Sequence, residues 1–359
     1  FPLNNGKTSI NSKNFKHINR PELEVIYAHD VIDFAKRKGY FSGTNAEFSF
    51  SDVYAPIDFG AARFCELRVW SFFRRFNDDM EQYKNYAAGY ELKNRMPLFI
   101  KPNRKLSVQD LLESKRDYMQ GTEFCMTQDV GAGPHLLPYR WRPLTWKHEG
   151  KEYFHERVTV TQQTGFSYVT QARSWLPDPI GGISWFSVDD AGSTVYVPMY
   201  CGMTKAPESY AEGNGDIITY SPTSAFWAFN KVANFAYLRY DLMSQDIKKM
   251  QSALENSFFE KTKEIDKKAS EIYNENPEKA RSILTEFSVN EANSTVEQWH
   301  RLFEFLLVKY MDGNVKQEKD GKFLRNPHGY PLSPKHVDYP DAWKKLIIEK
   351  TGDKFLYVK

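Results

Sequence analysis

Three cysteines, Cys65, Cys125 and Cys201, and eight histidines are the side chains best suited to attack a carbonyl or to hold a metal ion. The cysteines are an odd set without C-x-x-C spacing, which argues against a disulfide framework and against a thiolate zinc site. Cys65 lies in an apolar helical pattern, Cys125 follows a helix end and Cys201 closes a core strand. Cysteine commonly packs at such positions as a small hydrophobe, so all three are expected to be buried free thiols without a catalytic role. The histidines stand singly, with no H-E-x-x-H or H-x-x-x-H pair, and neither a metal nor a cofactor is expected. A serine nucleophile fares no better: Gly165-Phe166-Ser167 continues into Tyr168 and Val169 where a G-x-S-x-G elbow needs a second glycine.

The elements that would position any chemistry follow a helix, sheet, helix order. Pro21 suits the first turn of a helix whose apolar positions, Leu23, Ile26, Tyr27, Val31 and Phe34, recur until Gly39. A second helix is predicted from Phe59 to Phe76, and a third starts at an acidic capping box, Ser107 with Asp110, and ends near Gly121. From about Tyr139 to Tyr220 the pattern is that of strands. Val158 and Val160 alternate with Arg157, Thr159 and Thr161 at the two-residue period of a half-buried strand. Gly181 and Gly182 release a strand from Ile183 to Val188, and the turn Asp189-Asp190-Ala191-Gly192 returns the chain through Thr194 to Met199, a hairpin.

Beyond Tyr220 the period changes. Ser221-Pro222 predicts a helix start, with Phe226, Phe229, Ala233, Ala236, Tyr237 and Tyr240 as its packing stripe. A charged helix is predicted from Asp246 to Tyr273, another from Asn276-Pro277, and a separate one from the capping box Ser294 and Glu297 to before Gly313. The tail beyond Asn314 is expected to be a loop and a short closing helix.

Composition bounds the function. The 48 basic and 46 acidic side chains leave a charge of +2, too little for a dedicated nucleic-acid binder. No apolar run approaches the ~20 residues of a membrane span, and the polar start (NNGKTSINSKN) is not a signal peptide, so localisation stays open. An aromatic content of 15% leaves a second reading, a non-catalytic binding module for carbohydrate or peptide. Trp141, Trp146, Trp175, Trp185 and Trp227 lie in patterned segments, where burial is the ordinary explanation.

The blocks MTQDVGAGP (Met126 to Pro134), YRWRPLTW (Tyr139 to Trp146), Glu156 to Met203, and GNGDIITYSPTSAFWAFNKVANFAY (Gly213 to Tyr237) resemble the dipeptidase A family of N-terminal-nucleophile cysteine peptidases. The resemblance covers nearly the whole chain. It implies an α+β protein with a four-layer αββα core and large helical insertions, related to the choloylglycine hydrolases, that cleaves dipeptides through an amino-terminal cysteine. On that basis residues 1–225 form the later part of the core and 226–359 a mostly helical region packed on it. A free α-amino group titrates near 7.7 to 8.0, so it can take the proton of an adjacent thiol without a histidine. This chain begins Phe1-Pro2-Leu3, so the nucleophile is expected in a preceding segment, which becomes a partner together with the dipeptide and with further copies in a homo-oligomer.

The resemblance also implies an active-site arginine, and Arg140 or Arg142 in Pro138-Tyr139-Arg140-Trp141-Arg142-Pro143 sits about where it belongs. Guanidinium stays charged, favours a nearby thiolate and grips a carboxylate at two points. Packing on Trp141 or Trp146 is the competing role. Arg157 is a further substrate-binding candidate and Arg173 another, with ordinary ion pairs as their alternative. Asp129 and Gly131-Ala132-Gly133-Pro134 form another family-like block, where glycines would let the backbone approach a substrate.

Overall fold

The structure, a computed structural model, describes residues 28–140 and 143–358. These form two compact units, one of residues 28–106 and 143–159, the other of residues 107–140 and 160–358.

Short helices dominate the first unit. Helix α1 (Val31–Arg37) stops before Gly39, whose φ of 71° is the left-handed conformation that glycine takes at a helix end without a Cβ clash. The expected start of this run at Pro21 lies outside the described residues. Val31, Ile32, Ala35 and Phe48 close a small core onto which Phe41, Phe50, Val53 and Tyr54 pack. The helix expected over 59–76 forms as one turn (Phe59–Ala61), a wider π turn (Ala62–Glu66) and helix α2 (Leu67–Phe73). The π turn buries Arg63, which donates to Ala88 O, Tyr90 Oη and the Glu156 carboxylate. Strands β1 (Thr145–His148) and β2 (Lys151–Phe154) make a hairpin around Glu149 and Gly150, both at positive φ as a tight hairpin turn requires. Across it Trp146 stacks on Tyr153.

The second unit opens with helix α3 (Val108–Lys115), started by the expected capping box. Ser107 Oγ accepts from Asp110 N at 3.2 Å, and Asp110 accepts from Ser107 N at 2.8 Å. It ends at Lys115, short of Gly121. The sheet is antiparallel in the order β3 (Phe166–Ala172), β4 (Gly182–Val188), β5 (Val197–Tyr200). The hairpin of β4 and β5 is the expected one, with Trp185 opposite Pro198. The expected strand at Val158 and Val160 is corrected. Both valines are buried and Arg157 is exposed, so the alternation holds in burial. The segment makes no ladder with another strand among the described residues, and the first strand of this sheet is Phe166–Ala172 instead.

Helices cover one face of this sheet. Helices α4 (Ala225–Ala236), α5 (Tyr240–Tyr273) and α6 (Pro277–Tyr310) follow. α4 begins after Ser224, not at Ser221-Pro222. The predicted helix start at Ser294 is also corrected: Ser294 lies inside α6, because Ala292, Thr295, Val296 and Trp299 continue its buried stripe and nothing breaks it. Ile183 and Trp185 of β4 point to the helices, with the Trp185 ring 4.7 Å from that of Phe259 in α5. Polar groups of α5 reach the hairpin backbone: Glu255 accepts from Tyr196 N, and Gln251 donates to Gly192 O and Thr194 O. The alternate positions Phe166 and Tyr168 lie on the opposite face, 61% and 50% exposed and stacked on one another. Beyond α6 come a two-stranded hairpin, β6 (Glu318–Lys319) and β7 (Lys322–Phe323), and a closing helix α7 (Asp341–Thr351). Helices with small antiparallel sheets make the protein α+β.

Candidate functional site

Strand β4 ends in two adjacent buried acids, Asp189 and Asp190. The chain turns at Asp189 with φ of 66°, a left-handed conformation that is uncommon for a residue with a side chain and that tolerates aspartate better than most. The turn sends the two carboxyls to different partners. Asp190 receives Gly192 N at 2.9 Å, Tyr118 Oη at 3.4 Å and Tyr237 Oη through a short bond. Asp189 receives the Asn230 Nδ2 of α4, at 3.1 Å on Oδ1, and the backbone N–H of Asp190, and its Oδ2 is buried without a hydrogen-bond partner.

Burial, then the charge of Asp190, push the Asp189 carboxyl up to about 8. Burial also raises Asp190, against the donors Tyr237, Gly192 N and Tyr118. It holds the phenols of Tyr118, Tyr237 and Tyr240 above their ordinary value as well, with the Asp190 charge adding to the effect. At neutral pH Asp189 is therefore a neutral acid.

Asn230 stands between this pair and a cavity of about 720 Å³, within the range of small-molecule sites. Phe226, Trp227, Asn230 and Asn234 present one face of α4 to it. The segment before β3 contributes the stretch from Gln162 to Gly165, and Tyr139 and Tyr210 add rings. Gln162 is fixed by a 2.9 Å bond from Nε2 to Arg140 O. The loop from Asn214 to Ile217 forms a further wall, held by Trp227 Nε1 on Thr219 O and by Ser221 Oγ on Asn214 Oδ1. The Tyr210 hydroxyl is buried without a partner, and burial raises its titration. The walls are aromatic rings and neutral amides, and Asp216 is the one charged side chain among the described lining residues. Carboxamides and the unpartnered Tyr210 hydroxyl supply both donors and acceptors, the complement of a peptide group.

The sequence-predicted arginines are distributed differently. Arg140 is buried, and its guanidinium donates to Met126 O, Leu137 O, Tyr139 O and, at 2.5 Å, the Asp129 carboxylate. It thereby ties the Asp129 and Gly131 turn to the segment that carries Tyr139. Arg142 and Trp141 lie outside the described residues. Arg157 is exposed in the first unit. Arg173 is buried against the Asp266 carboxylate and the carbonyls of Ile180 and Gly181, an ordinary ion pair. Trp146 has Tyr153 and His155 as ring partners.

No cysteine lines the cavity. Cys125 is buried beside Thr127 Oγ1, Cys65 is half-buried, and Cys201 is exposed, which corrects the expectation of three buried thiols. Among the described residues no group of three or more His, Cys, Asp or Glu side chains gathers to hold a metal ion, and no helix is long and apolar enough to cross a membrane. Of the tryptophans expected to be buried, Trp185 is, Trp227 lines the cavity, and Trp146 and Trp175 are exposed, the latter at 76%, which corrects that expectation; Trp141 lies outside the described residues. Asp189, Asn230 and Tyr210 were not singled out as site residues. Their signal was faint: a pair of acids directly after an apolar strand, and Asn230 with Asn234 one turn apart on an apolar helix.

An amide-rich cavity beside a sheet edge suits a peptide hydrolase, and comparison with known families gives that class. The model of peptidase family C69, the dipeptidase A family of cysteine peptidases, matches residues 4–253, and the chain belongs to this family. No curated protein matches the chain.

Proposed function

We propose that this chain is the later part of an N-terminal-nucleophile cysteine dipeptidase, whose attacking cysteine lies on a preceding segment and meets the substrate at the amide-lined cavity. The observation that carries the reading is the two-sided sheet. Its helical face is packed by α5, while on the other face the β3 side chains Phe166 and Tyr168 stay exposed, although Tyr210 packs on Phe186 and Val197 is buried there, and β3 has a ladder partner on one side only among the described residues. In an αββα sandwich a preceding sheet would cover those exposed rings. The cavity lies where Val188 ends the open face, so a strand added there could bring a thiol to it.

In this reading the thiol attacks the carbonyl of the dipeptide, the α-amino group of the same residue takes its proton, and neutral donors of the wall hold the peptide group. Arg140 serves the substrate through the wall that it braces. The test is thiol-directed inactivation of the complete enzyme. Iodoacetamide should abolish dipeptide hydrolysis with its label on an amino-terminal cysteine, and replacing Cys65, Cys125 and Cys201 together by serine should leave turnover largely intact. Inactivation that tracks label on Cys201 would sink the proposal.

A further inference from the structure

We propose that Asp189 is a positioning residue: it fixes the Asn230 carboxamide at the cavity wall, so that this amide receives the carbonyl oxygen of a bound peptide. The inference rests on reading the cavity as the substrate site and goes beyond it by naming the group that holds the substrate and the group that holds that group.

Three observations converge. Asn230 is clamped at both ends, with Nδ2 donating to Asp189 Oδ1 at 3.1 Å and Oδ1 accepting from Asn234 Nδ2 at 3.1 Å. Those bonds fix which way the carboxamide faces. They leave one Nδ2 proton without an acceptor among the described residues, on a side chain that lines the cavity. A carbonyl oxygen is the ligand atom that such a proton takes.

The left-handed turn at Asp189 provides the second observation. A buried non-glycine residue at a φ of 66° is strained, and such positions cluster where a side chain must be aimed. Here the turn aims the carboxyl at Asn230, away from the tyrosines that serve Asp190.

The third is the unpartnered Asp189 Oδ2. The groups that act on this carboxyl are the Asp190 carboxyl and backbone N–H of the same hairpin and the Asn230 carboxamide of α4, with the Tyr237 phenol at the end of α4 within electrostatic reach. None is a cation, so no charge favours the ionised form. The proton then sits on Oδ2, and Oδ1 stays a pure acceptor for Asn230. A neutral acid orients the amide without adding a charge beside an uncharged peptide group.

The test is a double-mutant cycle in the complete enzyme, read as kcat and KM on an unblocked dipeptide. Asp189→Ala and Asn230→Ala should each lower kcat about ten- to a hundredfold with KM changed less than twofold, because the one peptide carbonyl of a dipeptide is the one attacked and carries the developing oxyanion, and the double variant should be no worse than either. Asp189→Asn keeps an acceptor toward Asn230 and should hold kcat within twofold of wild type. Should Asp189→Ala not fold, Asn230→Ala carries the test, because the hairpin keeps its own bonds. A wild-type kcat in folded Asn230→Ala, additive single effects, or an Asp189→Asn as impaired as Asp189→Ala would each overturn the assignment while leaving the dipeptidase reading in place. A complete wild-type enzyme with no turnover of dipeptides would overturn both.

Discussion

Asp189 is neutral in the folded chain near pH 7 but ionised in the unfolded chain, and this difference ties stability to pH. Its carboxyl rises from the ordinary 3.8 to about 8 on folding, chiefly by burial and then by the Asp190 charge. Below pH 4 both states hold the proton and the group is without effect. Between pH 4 and pH 8 only the folded state holds it, so stability falls as pH rises, by up to about 1.4 kcal/mol per pH unit. Asp189→Asn cannot ionise and should flatten this slope, so that urea unfolding shows a larger gain over wild type at pH 7.5 than at pH 5. Equal gains at both pH values would mean that Asp189 is already ionised when folded. Arg140 carries a different expectation. Its guanidinium satisfies three carbonyls and the Asp129 carboxylate, so Arg140→Ala leaves several buried acceptors bare. A loss of about 2–4 kcal/mol is expected, reduced from the full buried-pair value because Asp129 is partly exposed. Lysine, with one point charge, should recover little of it. An Arg140→Ala variant that melts as wild type would remove the bracing role and return Arg140 to direct contact with substrate.

Among the elements, α5 does most to hold the site hairpin in place, through polar groups rather than area alone. Glu255 is buried between the Arg116 guanidinium and Tyr196 N, and Arg116 also donates to Ala191 O and Thr194 O. Removing Arg116 leaves Glu255 an uncompensated buried charge, so Arg116→Ala should cost about 3–5 kcal/mol, while Glu255→Ala leaves Arg116 its Glu113 partner and should cost less. The double variant should fall well short of the sum. Additive losses in denaturant titrations would show that the two act separately. How far such elements can be read from sequence depends on how local their cause is. The capping box at Ser107 and Asp110, the Asn276-Pro277 start of α6 and the β4–β5 hairpin were legible because neighbours in sequence make them. Ser294 and Glu297 have the same local pattern as a cap, yet the buried stripe through Trp299 carries the helix past them. Val158 and Val160 show the converse, since alternation encodes which side is buried and not which strand lies alongside. The site was less legible still. The bond between Asp189 and Asn230 spans 41 positions, and only the packing of α4 against the hairpin brings them together.

At the scale of the molecule, the open sheet face governs how the chain behaves when expressed by itself. Phe166 and Tyr168 are stacked and exposed, and Phe166 also stacks on Phe186 across the ladder. Beside them the β3 edge offers unpaired backbone donors and acceptors along seven residues. Natural sheets blunt such an edge with charge, proline or a covering element; here neither a lysine nor a proline lies within β3, and among the described helices it is chiefly α3 that packs against it. Such a surface drives association once it is left bare. The chain of 359 residues alone is therefore expected to form concentration-dependent oligomers and to lack dipeptide hydrolysis, its three cysteines lying off the cavity. Phe166→Ser with Tyr168→Ser should reduce the association seen by light scattering without restoring activity. On the proposed function, supplying in the same cell a preceding segment that carries the cysteine should do both for the unaltered chain, by covering the face and by bringing the thiol. The decisive measurement is sedimentation of the chain with and without that segment, alongside a dipeptide assay. A monomeric, cooperatively unfolding chain with no second fragment bound would mean that the aromatic face is simply surface, and turnover by that monomer would place the nucleophile within these residues.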